Sequence, residues 1–231
     1  GMAARTVGEA SGVDYDRSRA YWEQAAPTRT AMLGGLDQVH AADVQGSLAL
    51  IDELRAGHAL PQGVALDCGA GIGRVSASVL LERFEQVELL EMCSSLLEVA
   101  ANSLEPRRVR RMHQVSLQAF SPVGDEPFAA VWVQWVAGYL TDDDLTAFLC
   151  RCAAHLLPDG LIVVKESVAR SETGDHVDVS DGSLTRTDAR FRALFAAARL
   201  HVLHECQQAK LPTHIFAVRM YVLRPLLELG N

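Results

Sequence analysis

The sequence predicts an α/β fold in which a mostly parallel β-sheet carries helices on both faces. Strand-like and helix-like segments alternate along most of the 231 residues. Residues 161–165 are almost wholly apolar, as expected for a strand that is buried on both faces of a sheet. A glycine-rich loop at 69–73 joins an apolar segment to an amphipathic one, which is typical of α/β units that bind a nucleoside.

The first half of the chain begins with two helical segments, at about 14–26 and 42–56. A strand around Leu66 ends in the glycine loop, and the amphipathic segment 75–84 is predicted as the helix that follows it. A second strand at 87–91 is followed by a helix at 95–104 and a third strand at 109–115. This order predicts parallel strands joined by helices.

The second half continues the alternation with a strand at 128–134 and a helix at 142–157. Pro158-Asp159-Gly160 is expected to turn the chain into the buried strand 161–165. A helix at 188–198 precedes two strand-like segments, 201–205 and 216–223, which predict an antiparallel edge. We expect one domain over residues 1–231, with a disordered tail at 1–13 and a helical extension at 14–58.

Composition and charge are those of a globular catalytic domain. The chain is 49% hydrophobic and 22% charged, and no apolar segment approaches the roughly 18 residues of a membrane span. The net charge of −8 disfavours a nucleic-acid surface. Five scattered cysteines and eight histidines without a His-x-x-x-His pair give no metal-ligand spacing. We therefore expect reduced thiols, no metal, and a cytoplasmic or nuclear location.

The glycine loop favours S-adenosylmethionine over a dinucleotide. Asp67 ends the first strand, and Gly69, Gly71 and Gly73 follow at intervals of two, whereas the dinucleotide fingerprint has its third glycine three residues after the second. Glu91 ends the next strand about 20 residues further on, where a carboxylate can accept hydrogen bonds from both ribose hydroxyls. The alternatives are a strand–helix turn without a ligand and a solvated strand end.

Further segments support a narrower interpretation: Tyr21-Trp22, Met32-Leu33-Gly34-Gly35, residues 66–74, Val133-Gln134-Trp135-Val136, Leu140-Thr141-Asp142 and residues 181–186. Together they resemble the class I S-adenosylmethionine-dependent methyltransferases. More narrowly, the chain is similar to the eukaryotic protein N-terminal methyltransferases, which modify the α-amine of proteins that begin with Xaa-Pro-Lys after methionine removal. The resemblance runs from Tyr21 to about Arg224.

This resemblance implies a Rossmann-like seven-stranded class I methyltransferase fold, with the N-terminal helical extension on the substrate side. It implies S-adenosyl-L-methionine as cofactor, released as S-adenosyl-L-homocysteine. Arg74 would bind the cofactor carboxylate and Glu91 the ribose. The full cofactor-binding set that it implies is Gly69, Gly71, Arg74, Glu91, Leu117, Gln118 and Gln134. For Leu117, plain core packing is the alternative.

The family pattern also implies a peptide site. The substrate-binding residues that it implies are Trp22, Leu33, Trp135, Asp178, Ser183 and Ile215. Trp135 would offer a flat wall to the proline ring, and Asp178 and Asp181 would line a channel and attract the cationic third side chain. Core packing is the alternative for Trp22 and Trp135, and a solvated loop is the alternative for the acids. The expected partners are Xaa-Pro-Lys/Arg protein N-termini, bound by a monomer that contacts neither nucleic acid nor membrane.

The chain departs from this family pattern at three positions of the peptide site. Tyr139 stands where histidine is usual, Ser167 where asparagine is usual, and Phe216 where tyrosine is usual. Because tyrosine is a poor base at its ordinary pKa of about 10, Asp181 is expected to assist removal of the amine proton. The predicted catalytic set is Asp181, Tyr139 and Ser167. A small-molecule methyltransferase and a non-catalytic cofactor-binding partner on the same fold are the alternative functions.

Overall fold

The computed structural model describes residues 12–57, 60–124 and 126–226. The chain begins with helices α1 (Tyr15–Gln24), α2 (Arg29–Met32) and α3 (His40–Ala56). The side chains of Asp14 and Thr28 accept backbone amide hydrogen bonds at the starts of α1 and α2. These helices form the predicted extension. The predicted tail lies outside the described residues except for Gly12 and Val13, and Val13 is buried.

The strands are β1 (Val64–Cys68), β2 (Gln86–Glu91), β3 (Val109–Gln114), β4 (Phe128–Gln134), β5 (Leu156–Val168), β6 (His176–Asp178), β7 (Ser183–Thr185), β8 (Leu200–Gln207) and β9 (Ala217–Pro225). Seven strands of the described chain form one sheet in the order β3-β2-β1-β4-β5-β9-β8. The pairs from β3 to β5 are parallel, and β9 is antiparallel to both β5 and β8. The mostly parallel sheet with an antiparallel edge is confirmed.

Helices cover both faces of this sheet. The other α-helices of the described residues are α4 (Ser94–Ser103), α5 (Asp142–Ala153) and α6 (Asp188–Ala197). One buried cluster joins Leu66 of β1 to side chains of α5 and α6, and the other joins Ala65 to side chains of α3 and α4. Alternate residues of a strand point to opposite faces, so β1 lies between two cores. No helix in the described ranges is long and apolar enough to cross a membrane.

The segment after the glycine loop differs from the prediction. Instead of a regular helix over 75–84, the chain forms a π-helical segment at Ser76–Leu80, where the Leu81 amide donates to the Ser76 carbonyl. The Asp67 carboxylate accepts hydrogen bonds from the amide and hydroxyl of Ser76, at 2.9 and 2.7 Å, and ties this segment to β1. Burial raises the pKa of Asp67 to about 6. Over a single turn, hydrophobic periodicity does not separate an α-helix from a π-helix.

Two further predictions are corrected. β5 begins at Leu156, because residues 158–160 form an irregularity inside the strand: its register with β4 steps from Phe128–Leu156 to Ala130–Leu161. α5 accordingly ends at Ala153 rather than at 157. The hairpin of β6 and β7 was not predicted, since each strand has three residues and shows little periodicity.

A buried ion-pair network fixes α3 to the sheet. The Asp43 carboxylate lies 2.6 Å from the Lys165 ammonium and 2.7 Å from the Arg74 guanidinium, and it accepts a hydrogen bond from the Gln134 amide at 2.8 Å. Burial acts to raise the pKa of Asp43, but the charges of Lys165 and Arg74 outweigh it and the pKa is lowered. The ammonium also donates to the Asp43 carbonyl, the Ser47 hydroxyl and the Gln208 side chain. The network sets where α3 lies.

We expect Asp43→Ala to lower the free energy of unfolding by about 3–5 kcal/mol, because it leaves buried positive charge uncompensated. Asp43→Ala/Lys165→Met should lose less than the sum of its two single variants, since a lone buried ammonium is avoided. Urea unfolding measures these differences. The control is Asp52→Ala on the same helix, where an exposed carboxylate pairs with Arg83, and it should unfold close to wild type. Equal losses in Asp43→Ala and Asp52→Ala would contradict the importance of the network.

Candidate functional site

Two adjoining cavities lie over the carboxyl ends of the parallel strands. The inner cavity, about 1000 Å³ including space open to solvent, is lined by residues that follow β1, β2, β3 and β4. The outer cavity, about 2310 Å³ on the same measure, lies between the N-terminal helices, the end of β5 and the connection from β8 to β9. Four residues line both cavities: Trp22, Met32, Trp135 and Tyr139. The carboxyl ends of strands are where open α/β sheets bind ligands.

The structure brings all seven predicted cofactor residues into the wall of the inner cavity: Gly69, Gly71, Arg74, Glu91, Leu117, Gln118 and Gln134. They come from the ends of four neighbouring strands. Leu117 is also packed in a buried hydrophobic cluster, which agrees with the alternative of core packing, and its role toward a cofactor stays a prediction.

The glycine loop has a backbone conformation and close neighbours that require glycine. Gly69, Gly71 and Gly73 have φ angles of +68°, +54° and +75°, a region that favours glycine. A Cβ on Gly71 would lie 2.9 Å from the Met32 sulfur. The Glu91 carboxylate accepts hydrogen bonds from the amides of Gly71 and Cys93, at 2.9 and 2.8 Å. Each carboxylate oxygen has a second lone pair, so Glu91 can still accept from a ligand hydroxyl.

Arg74 and Gln134 are both held by Asp43. The Arg74 guanidinium also lies over the Trp135 ring, at 5.6 Å from its centroid. The Gln134 oxygen accepts a hydrogen bond from the Trp132 indole at 2.8 Å, so both ends of this amide are fixed. The inspection of the sequence missed Asp43. Lys165, a charged residue in an otherwise apolar buried strand, indicated that a buried carboxylate must lie nearby, because a buried ammonium requires a compensating charge.

The outer cavity brings together eight of the nine predicted catalytic and substrate residues: Trp22, Leu33, Trp135, Tyr139, Ser167, Asp181, Ser183 and Ile215. Asp178 is not among the described residues that line it. The exposed Asp178 carboxylate accepts hydrogen bonds from the amide and hydroxyl of Ser180, at 2.8 and 2.6 Å, within the turn from β6 to β7. The expectation that Asp178 lines a channel beside Asp181 is therefore not met in this structure.

Tyr139 and Asp181 form a hydrogen-bonded pair in this cavity. The Tyr139 hydroxyl donates to the Asp181 carboxylate at 2.7 Å, and the Ser183 amide donates to the other carboxylate oxygen at 3.0 Å. Burial, followed by the negative charge of Asp181, raises the pKa of Tyr139 above its ordinary value. The phenol therefore stays protonated near neutrality, and Asp181 is the member of the pair that can accept a proton.

Two buried charged residues fix the loop that carries Trp135 and Tyr139. One Glu166 oxygen accepts hydrogen bonds from the amides of Val136 and Ala137, at 2.7 and 2.8 Å. The Arg186 guanidinium donates to the carbonyls of Ala137 and Leu140, and pairs with Asp142 at 2.9 Å. The sequence analysis did not predict these roles. The position of Glu166, next to Lys165 at the end of an apolar segment, indicated a buried carboxylate that needs hydrogen-bond donors.

Within the described residues, no three His, Cys, Asp or Glu side chains are grouped so that they could hold a metal ion. The acids at the cavities are engaged instead with backbone amides and with the Tyr139 hydroxyl. The inner cavity therefore offers hydrogen-bond acceptors and two arginines, Arg19 and Arg74, to a ligand. This set suits a nucleoside that carries a carboxylate.

The comparisons with known proteins agree with this geometry. Residues 11–224 match the family described as "AdoMet dependent proline di-methyltransferase". "Alpha N-terminal protein methyltransferase 1" of Oryza sativa subsp. indica is 38% identical over 220 residues, which cover 90% of this chain and 71% of the rice protein. "N-terminal Xaa-Pro-Lys N-methyltransferase 1" of Homo sapiens is 36% identical over 214 residues, covering 91% of this chain and 95% of the human protein. A solved SAM-dependent methyltransferase of Leishmania major superposes with a TM-score of 0.85 at 33% identity, covering 91% of this chain and 82% of that one.

Glu166 provides a test of the site's electrostatics. Burial raises its pKa from an ordinary value of 4.5 to about 7, so the folded protein favours the protonated form. This contribution to stability is complete below the unfolded pKa and is lost as the pH rises through about 7. Relative to Glu166→Gln, which cannot titrate, wild type should therefore lose about 2–3 kcal/mol of unfolding free energy between about pH 5 and about pH 8.

Urea unfolding of both proteins at the two pH values measures this difference. Other groups with a raised pKa, such as Asp67, are present in both proteins and cancel in the comparison. A stability difference that does not change between the two pH values would contradict the raised pKa of Glu166.

Proposed function

This chain belongs to the family of AdoMet-dependent proline di-methyltransferases, and from that premise we propose that it methylates the α-amine of proteins that begin with Xaa-Pro-Lys or Xaa-Pro-Arg. It is an S-adenosyl-L-methionine-dependent methyltransferase. The observation that carries the proposal is the junction of the two cavities at Trp22, Trp135 and Tyr139. At this junction the inner cavity, which the predicted cofactor residues line, adjoins the larger outer cavity.

The residues of the inner cavity fit the cofactor. Arg74 would pair with its carboxylate, and Glu91 would accept hydrogen bonds from the ribose hydroxyls. Leu117 and Gln118 would frame the adenine, and Gln134 would lie near the reacting end. When bound, S-adenosyl-L-methionine supplies an electrophilic sulfonium methyl group and leaves as S-adenosyl-L-homocysteine. The protein's own task is to align the amine and make its lone pair available.

The outer cavity would hold the first residues of the substrate. Trp22 and Trp135 would contact the proline ring, whose nitrogen has no N–H and which must be recognised by shape. The Trp22 ring meets the Tyr139 ring edge-on, with centroids 5.8 Å apart, so the aromatic walls stand next to the hydrogen-bonded carboxylate. Asp181 would attract the basic third side chain and accept the proton of the α-ammonium. Since an α-amine has an ordinary pKa of about 8, removing that proton near neutrality is a modest task.

Several properties stay predictions for this chain. They are the monomeric state, the cytoplasmic or nuclear location, and the lack of contact with nucleic acid, membrane or metal. All five cysteines lie in the described residues and are free thiols there.

Methyl transfer to synthetic peptides tests the proposed function. We expect Ser-Pro-Lys-Arg-type peptides with a free amine to be methylated, and their N-acetylated counterparts not to be, because acetylation removes the nucleophilic lone pair. Mass spectrometry with fragmentation locates the methyl group. Methylation of the acetylated peptide, on lysine for example, would exclude α-amine specificity. Transfer to small amines but to neither peptide would favour the alternative of a small-molecule methyltransferase.

Asp181→Asn should reduce kcat on the order of 100-fold near neutral pH, because the amide keeps the shape of the side chain but cannot accept the proton. The deficit should shrink as the pH approaches 9, since more of the amine is then already deprotonated. Steady-state kinetics between about pH 6 and about pH 9 measure both effects. Asp178→Asn is the comparison, and its exposed, Ser180-bonded carboxylate predicts a much smaller loss. Equal losses in the two variants would leave Asp181 without a specific proton role.

A further inference from the structure

Acidic and basic side chains both line the outer cavity, and they differ in whether other protein groups already bind them. Its acids, Glu166 and Asp181, are both engaged in hydrogen bonds with protein groups. Its cations, Arg170 and Lys210, are exposed and form no ion pair with any residue that the structure describes. His214 lies in the same wall. The cavity therefore offers a ligand two cations without carboxylate partners among the described residues, beside the Asp181 carboxylate that is expected to attract the third side chain.

Unpaired cations are unexpected in a chain of net charge −8. Several arginines elsewhere on the surface pair with carboxylates, as Arg83 does with Asp52 and Arg192 with Glu205. Arg170 and Lys210 come from different segments, one after β5 and the other between β8 and β9, and yet they line one cavity. Two cations without carboxylate partners form a surface that favours an anion.

The backbone has a defined conformation at both residues. Lys210 has a φ angle of +61°, a left-handed conformation that residues other than glycine rarely adopt and that is concentrated at functional sites. The Arg170 carbonyl accepts hydrogen bonds from the amides of Thr173 and Gly174, at 3.2 and 3.1 Å, which closes a turn at that residue. Neither side chain extends from a chain end.

We propose that Arg170 and Lys210 form a subsite for acidic side chains at about the fourth to sixth residues of the substrate. This inference rests on the proposed function, which places the α-amine at the junction of the cavities and the third side chain near Asp181. An extended peptide advances about 3.3 Å per residue, so the residues that follow lie further along the outer cavity. The preferred substrate class is a protein N-terminus with a basic third residue followed by acidic ones.

Three peptides test the subsite. All begin with the same Xaa-Pro-Lys, and they carry Glu, Gln or Lys at positions four to six. With wild type we expect kcat/KM to be about three- to tenfold higher for the Glu peptide than for the Lys peptide, with the Gln peptide between them, as two exposed charge pairs allow. The preference should weaken between about 0.05 M and about 0.5 M NaCl, because salt screens exposed charges.

Charge-reversal variants test whether Arg170 and Lys210 form the subsite. Arg170→Glu and Lys210→Glu should each reduce the preference for the Glu peptide, and the double variant should favour the Lys peptide. Arg107→Glu is the matched control: it makes the same change in net charge at an exposed residue that is not among the described residues lining either cavity, and it should keep the wild-type order. Cofactor affinity measured by calorimetry confirms that each variant is folded.

The outcomes separate the two proposals. If wild type methylates the three peptides equally well, or if the double variant keeps the wild-type order, the subsite is overturned and the proposed function stands. If none of the three peptides is methylated, although the cofactor binds, the proposed function fails and the subsite fails with it.

Discussion

The buried carboxylate of Asp43 is the interaction on which the rest of the site depends. Lys165 lies in the centre of a sheet that is apolar on both faces, and an ammonium there is stable only with a fully compensating partner. Asp43 provides that partner from α3, and it simultaneously orients Arg74 and Gln134. α3 is thereby tied to the residues expected to bind the cofactor.

The inner and outer cavities differ in how their chemistry is held. In the inner cavity the backbone positions the site, because the Gly71 amide of the glycine loop donates a hydrogen bond directly to the Glu91 carboxylate. In the outer cavity, side chains hold one another: Tyr139 bonds to Asp181, and Glu166 and Arg186 fix the loop on either side of Tyr139. Under the proposed function, a tyrosine in place of the family's usual histidine would leave the Asp181 carboxylate as the proton acceptor.

The sequence predicted the sheet, its antiparallel edge and the inner cavity because these depend on local patterns. The apolar segment 161–165 and the spacing of Gly69, Gly71 and Gly73 are visible within a few residues. The contacts that it did not predict are long-range: Lys165 and Asp43 are separated by 122 residues. Periodicity in one segment carries no information about a partner that far away. Nearness along the chain is not sufficient either: Asp178 is three residues from Asp181, but its carboxylate bonds to Ser180 and does not line the cavity.

Trp135 has a φ angle of +53°, a conformation that a bulky side chain adopts at a conformational cost of roughly 1–3 kcal/mol. Glycine or asparagine would relieve this cost, but neither would present an aromatic wall to both cavities. If Trp135 binds substrate as proposed, selection for thermal stability and selection for substrate binding act on this position in opposite directions. In descendants of this protein that lose methyltransferase activity, replacing Trp135 by glycine or asparagine would remove this conformational cost and so raise the free energy of unfolding.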